Sequence, residues 1–148
     1  MYKLLGDIVI DTEELIGNIE SNSNIKVRED LSNATKRDDS VGLRLSISIE
    51  ELGFDSSLKY ETEEEMDTLM TKSDKYVDEK MQEIISEFAE NTEYSIYSYS
   101  FDEVESEVLV LFAMMSRYNA NRKLRDVIED YKLFRIFCIF KNEYIENT

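Results

Sequence analysis

Alternation of apolar and polar side chains predicts the β-strands of this chain. Every odd position of 41–50 is apolar, and the even positions are Gly, Arg, Ser or Glu. A period of two predicts a strand with one buried and one solvated face. Residues 93–101 alternate Tyr or Phe with Ser and predict another strand, while the apolar run within 2–10 predicts a strand near the N-terminus. A short strand is expected at 24–29.

Helical spacing is clearest between 62 and 91. From Met66 to Phe88 apolar residues recur at helical intervals, which is the pattern of a helix with one buried side. Thr62 and Glu65 have the spacing of a capping box, in which each residue satisfies a backbone N–H of the other. The pattern therefore predicts a long central helix at 62–91. Similar spacing after residue 121 predicts C-terminal helices.

The segment 102–118 fits two structures. Apolar residues at 101, 104, 108, 111, 112 and 115 fit a helix, whereas the β-branched Val108 and Val110 fit a hairpin with the preceding strand. No Gly or Asn occupies the required turn, so the helix is favoured. A short strand at 57–60 is also expected.

These elements predict an α+β fold in a single domain spanning 1–148. A small N-terminal antiparallel sheet, with strands near 2–10, 41–50 and 93–101, packs against the helix at 62–91 and the C-terminal helices. The apolar fraction of 42% and the aromatic fraction of 11% suffice for a core despite the net charge of −16.

Negative charge is concentrated in the middle of the chain. Residues 51–110 contain eighteen acidic residues and four lysines, a net charge of −14. Like charges so close together repel each other in a compact molecule. A solvating surface would account for many of them, but a mixed surface would serve solubility with less repulsion. The imbalance therefore indicates a basic partner.

Several kinds of chemistry have no candidates in the sequence. The chain has no His, one Cys and no glycine-rich phosphate loop, so histidine acid–base catalysis, histidine metal ligation and an internal disulfide are excluded. We expect no enzyme activity, no cofactor and no metal. No membrane or direct nucleic-acid contact is expected, because an acidic surface is repelled by both. The expected location is the cytoplasm, which is the host cytoplasm if a virus encodes the protein.

The leading hypothesis is a non-enzymatic inhibitor that binds a basic, nucleic-acid-binding protein such as a nuclease. Spaced carboxylates would imitate phosphates, and tyrosines would supply buried anchors. In size and charge alone, the chain resembles phage-encoded DNA mimics, anti-CRISPR proteins and the immunity proteins that neutralise nuclease toxins. The residues expected to contact the partner are Glu63, Glu64, Asp67, Asp74, Asp78, Glu83, Glu87, Glu90, Tyr94, Tyr97, Tyr99, Glu103, Glu105 and Glu107.

The alternative hypothesis is a structural or adaptor protein of a virus or mobile element. Such a protein would self-associate, as a homodimer for example, through the long helix and the apolar C-terminal segment. The basic cluster of Arg117, Arg122, Lys123 and Arg125 would then pair with the acidic stretch of a neighbouring copy.

Overall fold

The computed structural model describes residues 2–33, 39–117 and 128–129. The fold is α+β, as expected, with two antiparallel sheets and two α-helices in these ranges. The elements are β1 (Tyr2–Leu5), β2 (Ile8–Asp11), α1 (Thr12–Asn22), β3 (Lys26–Asp30), β4 (Ser40–Ser48), α2 (Glu63–Ile84), a 3-10 turn (Ser86–Phe88), β5 (Thr92–Asp102) and β6 (Glu107–Ser116).

The N-terminal segment is a hairpin rather than one strand. Strands β1 and β2 pair with each other through a tight turn at Gly6, whose φ is +63°. A Cβ atom at Gly6 would lie 2.8 Å from the Ser116 hydroxyl oxygen, so the turn needs glycine for both its conformation and its space. The hairpin forms a two-stranded sheet of its own, and the prediction that 2–10 shares a sheet with 41–50 is wrong.

The four-stranded sheet has the strand order β3-β4-β6-β5. Strand β4 pairs with β6 over its whole length, from Ser40 opposite Met115 to Ser48 opposite Glu107. The alternating apolar residues of β4 are fully buried, in the same core cluster as residues of both helices and of the N-terminal hairpin. Strand β5 lies at an edge of the sheet.

The expected solvated face of β4 is largely buried. Ser46 on that face has no exposed surface, and Gly42 is also buried. Residues on the same side of the sheet form a second, smaller cluster: Leu31, Leu111, Ala113, Met115 and Ile128. The polar and small residues that alternate along β4 therefore do not mark a solvent-exposed face, because small residues such as Gly and Ser also allow close packing.

The segment 102–118 contains the hairpin strand β6, so the preference for a helix is wrong. The Asp102 carboxylate accepts hydrogen bonds from the backbone N–H groups of Val104 and Glu105, at 3.1 and 3.2 Å. Ser106 takes the left-handed conformation, with φ at 54°. An aspartate side chain thus builds the turn without Gly or Asn.

Helix α2 confirms the predicted long central helix, although it ends at Ile84 and not near 91. Thr62 caps the helix as predicted, because the Glu65 N–H donates to Thr62 Oγ1 at 3.2 Å. The Glu65 side chain accepts from the Thr62 hydroxyl at 2.7 Å rather than from the Thr62 backbone N–H, so only one half of the predicted capping box forms. At about 1.5 Å per residue, the helix is about 33 Å long. Its buried side carries Leu69, Ser73, Val77 and Met81.

Two smaller expectations have different outcomes. The short strand expected at 24–29 is β3, whereas 57–60 contains no strand. The predicted C-terminal helices fall mostly outside the described residues, as do Arg122, Lys123 and Arg125; within that region, Ile128 and Glu129 are helical.

Among the described helices, none has both the length and the apolar character needed to cross a membrane.

Candidate interaction surface

Four predicted contact residues share one flank of α2. Glu63, Asp67, Asp74 and Asp78 are separated by four, seven and four residues, and these intervals return to the same side of a helix. This flank faces β5, as hydrogen bonds from Asp74 and Asp78 to that strand show.

Two carboxylates on this flank attach α2 to the edge strand. Asp74 Oδ1 accepts a hydrogen bond of 2.9 Å from the backbone N–H of Ser98 in β5. Asp78 accepts from the Tyr94 hydroxyl at 2.6 Å and from the Gln82 amide at 3.1 Å. Asp74 also covers part of a sheet edge, where an unpaired N–H group would otherwise attract another strand. These two residues therefore have structural roles within the molecule.

Eight other predicted contact carboxylates form an N-terminal and a C-terminal group, and all eight are exposed. No ion pair joins any of them to a lysine or arginine in the described part of the chain. The N-terminal group is Glu63, Glu64 and Asp67 on α2, with Glu103 and Glu105 in the β5–β6 turn. The C-terminal group is Glu83, Glu87 and Glu90.

The two groups do not form one straight line along the helix. Glu83 follows Asp78 by five residues, which places the two about 140° apart around the helix axis. Glu87 and Glu90 lie beyond the end of α2, in and after the 3-10 turn. The carboxylates therefore form two exposed acidic groups near opposite ends of a helix about 33 Å long.

Glu107 is not part of the exposed set. Only 4% of its surface is accessible. Its Oε1 lies 3.4 Å from Arg28 Nη2 and 3.6 Å from Lys26 Nζ. Arg28 also pairs with Asp102 at 3.3 Å, so this ion-pair cluster links β3 to the ends of β5 and β6. The expectation that Glu107 contacts a partner conflicts with its burial.

The three predicted tyrosine anchors lie on two faces of the sheet. Tyr94 is opposite Met114 on the face of the main core, and its ring lies 5.8 Å from that of Phe112. Burial raises the pKa of Tyr94 to about 12, and its hydrogen bond to Asp78 acts in the same direction. The structure therefore does not bring the three rings together as one anchor.

Tyr97 and Tyr99 lie on the opposite face from Tyr94. Their rings stack on each other with centroids 6.3 Å apart. Tyr99 packs against the second core cluster, whereas Tyr97 is 40% exposed. A partner bound to this face would therefore meet Tyr97 first.

Aromatic rings hold two of the lysines in α2. Lys72 Nζ lies 4.8 Å from the centre of the Phe54 ring, and Lys80 Nζ lies 5.8 Å from that of Tyr76. These cation–π contacts place the ammonium groups over rings. Within the described ranges, neither lysine forms an ion pair with the α2 carboxylates.

Sequence reasoning missed a cavity at the N-terminal end of α2. Its volume is about 320 Å³, and it lies between the loop 56–61 and the β5–β6 turn. We call it the loop–hairpin cavity. Its walls include Leu58, Tyr60 and Phe101 together with Glu61 and Glu103. No local pattern indicates this site, because the two segments are about forty residues apart in the sequence and meet only in the folded chain.

In the described ranges, no three His, Cys, Asp or Glu side chains are grouped in a way that could hold a metal ion.

Comparison with family models, with curated proteins and with solved structures finds no significant match to the chain. The function is therefore inferred from the geometry and charge of this surface.

Proposed function

We propose that this protein is a non-enzymatic inhibitor that binds a basic, nucleic-acid-binding protein and competes with nucleic acid for its binding site. The observation that supports the proposal is the set of eight exposed carboxylates in the N-terminal and C-terminal groups. A nuclease is one class of protein with a suitable basic cleft. The inhibitor would act in the cytoplasm, or in the host cytoplasm if a virus encodes it.

The arrangement of the charges favours binding at two places. Each group would meet basic residues that otherwise contact phosphates, and α2 would set the distance between them. Surface charges of one sign also accelerate encounter with an oppositely charged partner. Of the predicted residues, Asp74 and Asp78 contribute mainly by holding α2 in place.

Self-association through the long helix has less support. The apolar side of α2 is packed in the protein's own core, with Leu69, Val77 and Met81 fully buried. A second copy could not bind that side without opening the fold. The C-terminal part of this hypothesis concerns residues outside the described ranges.

The proposal is tested by capture of the partner on immobilised protein at two salt concentrations. Screening reduces the range of surface charges from about 10 Å in 0.1 M salt to about 3 Å in 1 M salt. We expect a basic protein to be retained at the lower concentration and released at the higher one. A DNA or RNA oligonucleotide added at low salt should displace the same protein, since both ligands use one site.

Two results would contradict the proposal. One is a captured protein that stays bound in about 1 M salt. The other is a complex that nucleic acid does not displace, which would indicate a different binding site.

A further inference from the structure

The loop–hairpin cavity has the size of a ligand site. Its volume of about 320 Å³ lies at the lower end of the range of about 300–1,000 Å³ found for small-molecule pockets. It is large enough for one long side chain of a bound protein. The exposed N-terminal carboxylate group lies at the same end of α2.

Fixed aromatic rings form part of the cavity wall. Tyr60 and Phe101 pack edge to face, with ring centroids 6.5 Å apart. The Tyr60 hydroxyl donates a hydrogen bond of 2.8 Å to the backbone carbonyl of Asp55, and the ring also packs edge to face on Phe54. The wall is therefore rigid before any ligand binds.

The loop that carries Tyr60 is fixed by Asp55. The Asp55 carboxylate accepts hydrogen bonds from the Ser57 backbone N–H at 2.8 Å and from the Ser57 hydroxyl at 2.7 Å. These bonds hold the pKa of Asp55 below its ordinary value, so its carboxylate stays ionised. The loop is thus ordered by its own contacts, which lowers the entropic cost of binding.

Two exposed apolar side chains accompany the cavity. Leu58 lines it and is 60% exposed, and Val104 in the adjacent turn is 90% exposed. A bound side chain with a hydrocarbon stem would cover apolar surface here. The site therefore favours a ligand that combines an apolar stem with a polar end.

The charged residues around the cavity indicate which kind of polar end a bound side chain would have. Glu61 and Glu103 approach the cavity from its two segments, and Lys59 is the one basic residue among its lining residues. Glu63 and Glu64 begin α2 nearby. Phe54, the next ring in the same aromatic row, already carries the ammonium group of Lys72. The surroundings therefore suit a cation.

We propose that the loop–hairpin cavity receives an arginine side chain of the basic partner; this inference rests on the proposed function and identifies the anchor of that complex. The guanidinium plane would lie on Tyr60 or Phe101, and its N–H groups would reach Glu61 and Glu103. Arginine suits the site better than lysine because it is planar, more weakly hydrated and able to pair with carboxylates through two hydrogen bonds.

A second copy of this chain is a poorer occupant. Of its described arginines, Arg28 and Arg44 form ion pairs on the sheet. Arg117 donates a hydrogen bond to the Ala89 carbonyl oxygen. Self-binding would also bring two acidic surfaces together.

The test uses arginine amide and lysine amide as probes, followed by NMR. We expect arginine amide to shift the resonances of Leu58, Tyr60 and Phe101. Its Kd should be about two- to fivefold lower than that of lysine amide, because the guanidinium can form about one more hydrogen bond to a carboxylate than an ammonium group in the same place. Glu103→Gln should weaken arginine binding about two- to fivefold, the value of an exposed ion pair. Glu105→Gln is the matched control, because it removes the same charge in the same turn but does not line the cavity.

The inference is overturned if arginine amide shifts no cavity resonance, binds no better than lysine amide, or loses equal affinity in both variants. Its failure is distinguishable from failure of the proposed function. If salt-sensitive capture and displacement by nucleic acid persist without a cavity response, the inhibitor proposal stands and only the arginine anchor is wrong. If arginine amide binds the cavity but no basic protein is captured, the cavity is an arginine site, and both the inhibitor proposal and the role of the cavity as its anchor are wrong.

Discussion

Asp74 and Asp78 show how the environment of a carboxylate decides its role. Both lie on the flank of α2 that faces β5, and both accept hydrogen bonds from that strand. Asp67, which lies about two helical turns before Asp74, is exposed. Periodicity places the three residues on one flank, but it does not tell which of them meets a neighbouring strand. Single residues must therefore be assigned from their contacts.

Tyr94 gives a prediction at the residue scale. Its pKa is raised to about 12, mainly by burial and further by its hydrogen bond to Asp78. We expect it to titrate clearly above the ordinary value of about 10, and Asp78→Asn to lower its pKa while leaving it above that value. The measurement is pH titration of tyrosine ring carbons by NMR.

The sign of the effect on stability follows from linkage. The folded protein holds the Tyr94 proton more tightly than the unfolded chain does, so this contribution is fully present below about pH 10 and is lost as the pH rises towards 12. Asp78→Asn should reduce the loss across that interval. An unchanged Tyr94 pKa in the variant would contradict the role given to Asp78.

At the scale of elements, the long central helix was predictable and the β5–β6 hairpin was not. Helix α2 has a strong apolar period and an N-cap at Thr62, and both are local signals. The turn of the hairpin is formed by the Asp102 side chain and a left-handed Ser106. It contains no Gly or Asn, the residues by which such a turn is usually recognised in a sequence. The burial of both faces of β4 could not be predicted from the sequence either, since it requires a second core cluster formed by residues distant in sequence.

The candidate site was predictable to a similar degree. The sequence correctly indicates where acidic residues are dense, and eight of the predicted carboxylates are exposed. It does not show that Glu107 is buried beside Arg28, because that contact joins residues 79 positions apart. The loop–hairpin cavity was unpredictable for the same reason.

The ion-pair cluster around Glu107 gives a prediction at this scale. Glu107→Gln should lower the free energy of unfolding by about 1.5–3 kcal/mol, the range for a hydrogen bond to a charged group. It would weaken the connection between β3 and the β5–β6 hairpin. The exposed Glu105→Gln should change stability by less than about 0.5 kcal/mol. Urea unfolding measures both, and equal effects would show that burial and pairing of Glu107 contribute nothing.

On the scale of the whole molecule, the charge distribution matters more than the net charge. The predicted carboxylates that are exposed divide into an N-terminal and a C-terminal group near opposite ends of α2. The arginines described on the four-stranded sheet are engaged with other acidic residues. A partner would therefore meet two separate acidic regions held at a fixed distance by a helix. Binding to a basic cleft should therefore weaken when the carboxylates of either group are neutralised.

The most direct test of this account compares three variants that each remove three negative charges. E63Q/E64Q/D67N neutralises the helical part of the N-terminal group, and E83Q/E87Q/E90Q neutralises the C-terminal group. The control D7N/E20Q/E51Q changes three exposed acidic residues that lie outside α2. The measurement is the amount of basic partner that each variant retains in about 0.1 M salt.

We expect each of the two α2 variants to retain about tenfold less partner, since three ion pairs of about 0.5 kcal/mol each, in the middle of the range for exposed pairs, supply this factor. The control should retain nearly as much as the wild type. The proposed function is contradicted if the α2 variants retain as much partner as the wild type, because the two groups would then contribute nothing. It is also contradicted if the control loses as much as they do, because net charge alone would then explain the binding.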